Sequence, residues 1–266
     1  MRPMSPMLPQ SLTDTLPNSK SWLYITWLNF LVRYRKTAIG PLWLLVGPTL
    51  FIAVLGLLFS RIGGVDTALF VPHLAIGLIV WTLINGFVTG STSVFQRNRP
   101  QILQGNMKLT DLVLIDVFST ILQFLHQAII ILAVFLIFGR GVGVYALVSL
   151  AGLALLIANG VWLTVVFGIV GARYRDLSEV VQAVMRIAFL ATPIIWMPGP
   201  GGRGGLLGHF LTFNPFHHFL ELIRAPLLGN PIAPLSWLVV LMITVAGFAL
   251  AHVFFRRFSR LVPLWV

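Results

Sequence analysis

Asp116, Thr120, Gln123 and Gln127 recur at intervals of four, three and four residues in a stretch otherwise dominated by Leu, Ile, Val and Phe, with Ser119 and His126 beside them. That spacing places the polar groups along one stripe of a helix. In an apolar setting such a stripe either lines a water-accessible path or hydrogen-bonds to a neighbouring helix. Thr82, Asn85, Thr89, Ser91, Thr92 and Ser93 form a second polar set on the same terms. Arg186 has Glu179 and Gln182 on its own helical face, so it reads either as a structural ion pair or as a ligand for an anionic group.

Trp43, Trp81, Trp162 and Trp196 sit in or beside apolar stretches, where tryptophan marks a headgroup belt or, facing inward, offers a stacking surface to a sugar ring. Catalysis has less to draw on. Ser91 or Ser93 with His126 or His252 would make a dyad, and Asp111 and Asp116 a pair of metal or diphosphate ligands, but their five-residue separation puts the two aspartates on different helix faces. The absence of cysteine removes thiolate chemistry, and there is no G-x-x-x-x-G-K-S/T run to cradle a nucleotide. No metal and no cofactor are expected in this chain.

The elements carrying these residues belong in lipid. Of 266 residues 58% are hydrophobic and 9% charged, and mean hydropathy is +0.93; soluble domains carry about 25% charged residues. The expected class is all-α, a polytopic membrane protein with six transmembrane helices at 41–60, 72–94, 112–138, 144–170, 181–197 and 233–255. The net charge of +11 is scattered between apolar blocks, which fits membrane topology and not nucleic-acid binding. Arg33, Arg35, Lys36, Arg97, Arg99, Lys108, Arg173, Arg175, Arg256, Arg257 and Arg260 all fall on one side of a six-span arrangement, which predicts that both termini are cytoplasmic.

Several segments are neither span nor simple loop. Residues 1–19 read as a disordered cytoplasmic tail, 20–260 as one transmembrane domain and 261–266 as a cytoplasmic C-terminus. Within 20–37, Thr26, Asn29, Arg33 and Lys36 form a polar face against Trp22, Ile25, Trp27, Leu28 and Leu31, giving either an interfacial amphipathic helix or an extension of the first span. The 96–110 loop and the loop Arg173–Leu177 are basic; each either fixes topology or offers a short docking element to a cytoplasmic partner. The segment 205–229, after a glycine-rich run, is too short to cross twice. Asn214 as N-cap and Pro215 at the first helical position predict a helix there, so two short re-entrant helices between spans five and six are expected on the outer side.

Four blocks carry a family resemblance: Arg33-Tyr34-Arg35-Lys36-Thr37 with Gly40-Pro41-Leu42-Trp43; Ala172-Arg173-Tyr174-Arg175-Asp176-Leu177; Asn214-Pro215-Phe216-His217-His218-Phe219 through Glu221 and Arg224 to Ala225-Pro226-Leu227-Leu228-Gly229; and the ending Val262-Pro263-Leu264-Trp265-Val266. With these the chain resembles the permease of polysaccharide and polyol-phosphate ABC exporters, the group that includes O-antigen, capsule and teichoic-acid exporters. The resemblance implies a homodimer in the bacterial inner membrane with two copies of a separate ATPase, which would carry ATP and Mg. The implied substrate is a polyprenyl-diphosphate-linked glycan or a teichoic-acid polymer. On this reading Trp43, Trp81, Asn85, Asp116, Gln123, Gln127 and Arg186 line the substrate path, and Arg33, Arg35, Arg97 and Arg99 recruit its headgroup at the inner surface. Gln101, Ile102, Leu103, Met107, Tyr174, Arg175 and Asp176 couple to the ATPase, and Asn214, Pro215, Phe216, His217, His218, Glu221 and Arg224 form an outer gate. A drug or small-lipid exporter of the same architecture is the alternative, and a membrane enzyme a more distant one.

Overall fold

The computed structural model describes residues 8–15, 19–62, 66–105, 107–141, 143–197 and 205–266. Most of the glycine-rich run before the segment 205–229, Gly199 to Gly204, lies outside them. Among the described residues every regular element is helical: α1 (Leu8–Thr15), α2 (Ser19–Tyr34), α3 (Trp43–Ile62), α4 (Thr67–Ser91), α5 (Val94–Arg97), α6 (Arg99–Leu103), α7 (Leu109–Ile137), α8 (Ala146–Arg173), α9 (Leu177–Ala191), α10 (Gly205–Phe213), α11 (Pro215–Leu227), α12 (Pro234–Phe258) and α13 (Val262–Trp265). Helices are the open-chain solution in lipid because they satisfy their own backbone groups.

Five helices, α3, α4, α7, α8 and α12, are long and apolar enough to cross a membrane. The expected fifth span at 181–197 has a different form. Its helix α9 covers 15 residues, about 22 Å, and carries Glu179 and Arg186. Thr192 then turns extended and Pro193 follows. The Pro193 carbonyl accepts a hydrogen bond from Arg224 (2.6 Å), whose guanidinium also meets His73 near the start of α4.

The helix α4 is the axis of the bundle: 78% of its apolar window is buried, against 11% for the peripheral α3. It packs against α3, α7, α8, α9 and α11. In lipid, helices gain little from hydrophobic exclusion and associate by close packing of small residues. The α8 helix supplies them. A Cβ on Gly160 would meet the Phe87 ring at 2.8 Å, one on Gly168 would meet Val94 at 2.7 Å, and one on Gly152 would meet the Leu222 carbonyl at 2.8 Å. Gly171 lies tightest, against the Thr92 carbonyl, and its own carbonyl accepts a hydrogen bond from Gln96 (2.7 Å).

At the end rich in Arg and Lys, Leu8, Phe95, Ile102, Leu112, Phe255 and Val262 share one apolar cluster that joins α1, α5, α6, α7, α12 and α13. Within the expected disordered tail 1–19, residues 1–7 and 16–18 lie outside the described residues, while 8–15 takes a helical form, which corrects the expectation there. Leu8–Thr15 is helical, Thr15 hydrogen-bonds Thr110 hydroxyl to hydroxyl (2.8 Å), and the Trp22 indole donates to the Thr15 carbonyl (3.3 Å). Along α2 the buried stripe is Trp22, Thr26 and Phe30, against α7. Thr26 therefore leaves the expected polar face and returns its hydroxyl to the Trp22 carbonyl (2.8 Å), while Tyr24, Trp27, Leu31 and Val32 stay exposed as an apolar outer face.

Gly171→Ala drives a methyl into a backbone carbonyl that has nowhere to move, so it is expected to destabilise the bundle by about 2 kcal/mol. A thermal unfolding series in detergent, with Ala151→Gly as a substitution on an exposed face of α8, checks this; an unchanged midpoint for Gly171→Ala disproves the close α4–α8 seam.

Candidate functional site

Two polar clefts flank the α4 helix. The first, about 240 Å³, lies between α4 and α7 and is lined by Thr82, Gly86, Asp116, Thr120, Gln123 and Gln127, with Ser119 and Arg33. The stripe on α7 and the polar face of α4 thus meet, and both sequence readings hold together: the stripe faces a cleft, and Thr82 also donates across the helix pair to Gln127 (2.6 Å). The second cleft, about 550 Å³, lies between α4 and α9 and is lined by Trp81, Asn85, Gln182, Arg186 and Phe189. Thr89, Gly90 and Arg97 line both.

Arg97 joins the two sides. Its guanidinium donates to Asp116 Oδ1 (2.7 Å) and to the Gly90 carbonyl (2.9 Å). In the sequence Arg97 and Asp116 stand nineteen positions apart with no motif linking the two. Arg186 forms no ion pair with Glu179; it is exposed on the wall of the second cleft. Trp81 is buried edge-on to Phe216 (5.4 Å) and packed on Phe189 (5.7 Å), which connects the second cleft to the segment 205–229. Trp43 is set apart from these residues, exposed at the start of α3.

Three of the residues considered for catalysis, Ser91, His126 and Asp111, have other employment. Ser91 donates to the Val88 carbonyl, and His126 Nδ1 meets the Leu122 carbonyl at 2.8 Å while its ring packs on Phe30. Asp111 caps α7 by accepting from the Lys108 backbone N–H (2.9 Å).

At the basic end Gln101, Leu103, Tyr174, Arg175 and Asp176 are exposed together with Arg35 and Arg99, so they are available to a partner. Ile102 is not: it points into the apolar cluster and anchors α6, and Met107 is partly buried beside it. Arg173 lies over the rings of Tyr174 and Trp265, 5.8 Å from each centroid, which places the C-terminal α13 beside this surface.

The opposite end is built around Arg224. Asn214 caps α11 by accepting from the Phe216 and His217 backbone N–H groups (3.0 and 3.4 Å), with Pro215 at the first helical position, as the sequence suggested. The same side chain donates to Thr192 Oγ1 (3.1 Å), tying α11 to the end of α9. Arg224 is buried and donates to the Pro193 carbonyl, to His73 Nε2 (3.1 Å) and to Glu221 (3.5 Å). His218 Nε2 donates to the Thr212 carbonyl (2.9 Å), which leaves Nδ1 to accept from Ser236 (3.0 Å). Burial drives the His217 imidazole down to about 4 against the pull of Glu221, so the ring is neutral at pH 7. These residues border a cavity of about 680 Å³. His73, Thr192 and Ser236, which complete the network, carried no sequence signal beyond their identity.

Arg224→Met removes three donors from buried acceptors and is expected to cost about 2 kcal/mol of stability, whereas Asn214→Asp, which keeps the cap acceptor, costs less than Asn214→Ala, at about 1 kcal/mol. Thermal unfolding midpoints of the purified variants check the ranking; equal stability of Arg224→Met and the parent chain disproves the network.

Comparison with known proteins follows this geometry. The chain is 22% identical over 239 residues to the O-antigen export system permease protein RfbA of Klebsiella pneumoniae, covering 87% of this chain and 90% of that protein. It is 24% identical over 168 residues to the Myxococcus xanthus protein of the same name, covering 62% and 63%. Residues 20–228, running from α2 through α11, match the ABC-2 type transporter family. An apolar helical bundle with polar internal clefts and a family match across well over half its length leads to one conclusion: the chain belongs to the ABC-2 type transporter membrane family and is a transport subunit, not an enzyme.

Proposed function

We propose that this chain is the permease of an ABC exporter that moves an O-antigen-type polysaccharide on a polyprenyl diphosphate carrier. It works as a homodimer in the bacterial inner membrane with a separate ATPase. The relatives' names support the polysaccharide. The observation that carries the reading is the pair of polar clefts meeting at Thr89, Gly90 and Arg97 inside an otherwise apolar bundle, because a glycan needs hydroxyl, amide and aromatic partners along its route. The clefts lie on the flanks of α4 in a single bundle, and a second copy closes them into a channel wide enough for a polymer.

The basic end then faces the cytoplasm, in keeping with the preference for positive charge on that side. With α9 and its extended continuation counted as a crossing, the topology has six spans, and α10 and α11 form re-entrant outer elements in which Phe216, His217, His218, Glu221 and Arg224 gate the exit. Gln101, Leu103, Tyr174, Arg175 and Asp176 are the contact for the ATPase, which holds the ATP and Mg. Arg35 and Arg99, with Arg33, attract the diphosphate to the inner surface.

Deleting the gene is expected to abolish surface polymer while lipid-linked polymer accumulates inside; unchanged surface polymer overturns the assignment in favour of a drug or small-lipid exporter. In the complemented strain, Arg35→Gln with Arg99→Gln removes about 1 kcal/mol of surface attraction per charge, so export at limiting substrate falls several-fold at unchanged protein level.

A further inference from the structure

The clefts share Arg97, and Arg97 is already engaged. Its partner, Asp116, lies seven residues into α7, about 10 Å from that helix's start. The Asp116 side chain is 15% exposed and that of Arg97 50%. Only one carboxylate oxygen is satisfied: Oδ2 is buried with no hydrogen-bond partner. Arg97 has a second anchor in the Gly90 carbonyl, so the guanidinium keeps its place when the carboxylate swings away. Arg33 lines the same cleft and adds a second cation, with Ser119 and Gln123 as neutral polar groups; the Thr120 hydroxyl is spent on the Asp116 carbonyl (3.0 Å).

From this arrangement we infer that Asp116 is a built-in competitor that sets the affinity threshold of the cleft, holding Arg97 so that singly charged lipids bind too weakly to fill it while a diphosphate, gripped by two arginines, still does. The inference rests on the reading that the substrate is diphosphate-linked. A tethered carboxylate competes at high effective concentration. A phosphodiester such as phosphatidylglycerol brings one negative charge, no more than the carboxylate it must displace, and so gains little. A diphosphate diester brings about two charges and meets two arginines, and its Coulomb attraction grows with that product. The membrane's own anionic lipids are thereby kept out of a path whose substrate is far scarcer.

The test compares binding of undecaprenyl diphosphate and phosphatidylglycerol to the purified full-length chain by native mass spectrometry in detergent. The parent chain is expected to prefer the diphosphate. Asp116→Asn raises the affinity for both ligands about tenfold, the scale of one charged hydrogen bond, so that phosphatidylglycerol now fills the cleft. Asp116→Ser gives a second neutral variant should the first fold poorly, Asp116→Glu keeps the parent affinities, and Arg97→Gln weakens both ligands. A purely structural Asp116 would lower both affinities together. Phosphatidylglycerol affinity that does not rise in either neutral variant, or a parent chain without preference, overturns the inference. Surface polymer that survives gene deletion alongside raised phosphatidylglycerol affinity would sink the polysaccharide assignment and leave the competitor standing.

Discussion

The bundle depends on how closely α8 approaches α4. Lipid offers helices almost no solvent-driven reason to associate, so the free energy must come from dispersion over a tight interface. Gly160, Gly168 and Gly171 let Phe87, Val94 and the Thr92 backbone settle against α8 with no side chain between, and Gly152 does the same for α11 at Leu222. With one flank of α4 locked this way, the opposite flank is free to be polar. Thr82, Asn85, Gly86, Thr89 and Gly90 become the walls of the two clefts, while Thr82 also bonds Gln127 and Gly86 lets Thr120 of α7 come close.

The two ends of the molecule use opposite chemistry. At the basic end the interior is apolar, with Ile102, Phe255 and Val262 in one cluster, and the charges stand outward. At the other end the single arginine of α11 is inside, held by a histidine, a carboxylate and a backbone carbonyl, and the surroundings are neutral. Buried cations demand such complete partner sets. The first arrangement presents a surface that another protein or an anionic headgroup can grip. The second fixes the relative positions of α4, α9 and α11.

Much of this was legible in the chain. Long apolar runs fixed the five spanning helices, the intervals from Asp116 to Gln127 identified a shared face, and Asn214-Pro215 marked the start of α11. What escaped were features decided by tertiary contact. Thr26 looks polar but satisfies its hydroxyl on its own helix and goes inward. Ile102 lies in a polar loop yet anchors α6. The 181–197 stretch is hydrophobic enough for a span, but Thr192 and Pro193 end the helix early where Arg224 needs a carbonyl. The pairing of Arg97 with Asp116 joins residues on different helices, and no local pattern encodes it. Helix α1 is short and polar, so its order comes only from the partners it meets.

That last point bears on how the protein is made. Helix α1 leaves the ribosome before α2 to α13, yet the apolar cluster that receives Leu8 is completed by Phe255 and Val262 of α12 and α13. Its docking site does not exist until α12 has been inserted. Assembly therefore closes as a circle, with α1 among the last helices to settle, and its seating on Thr110 and α12 marks a finished bundle.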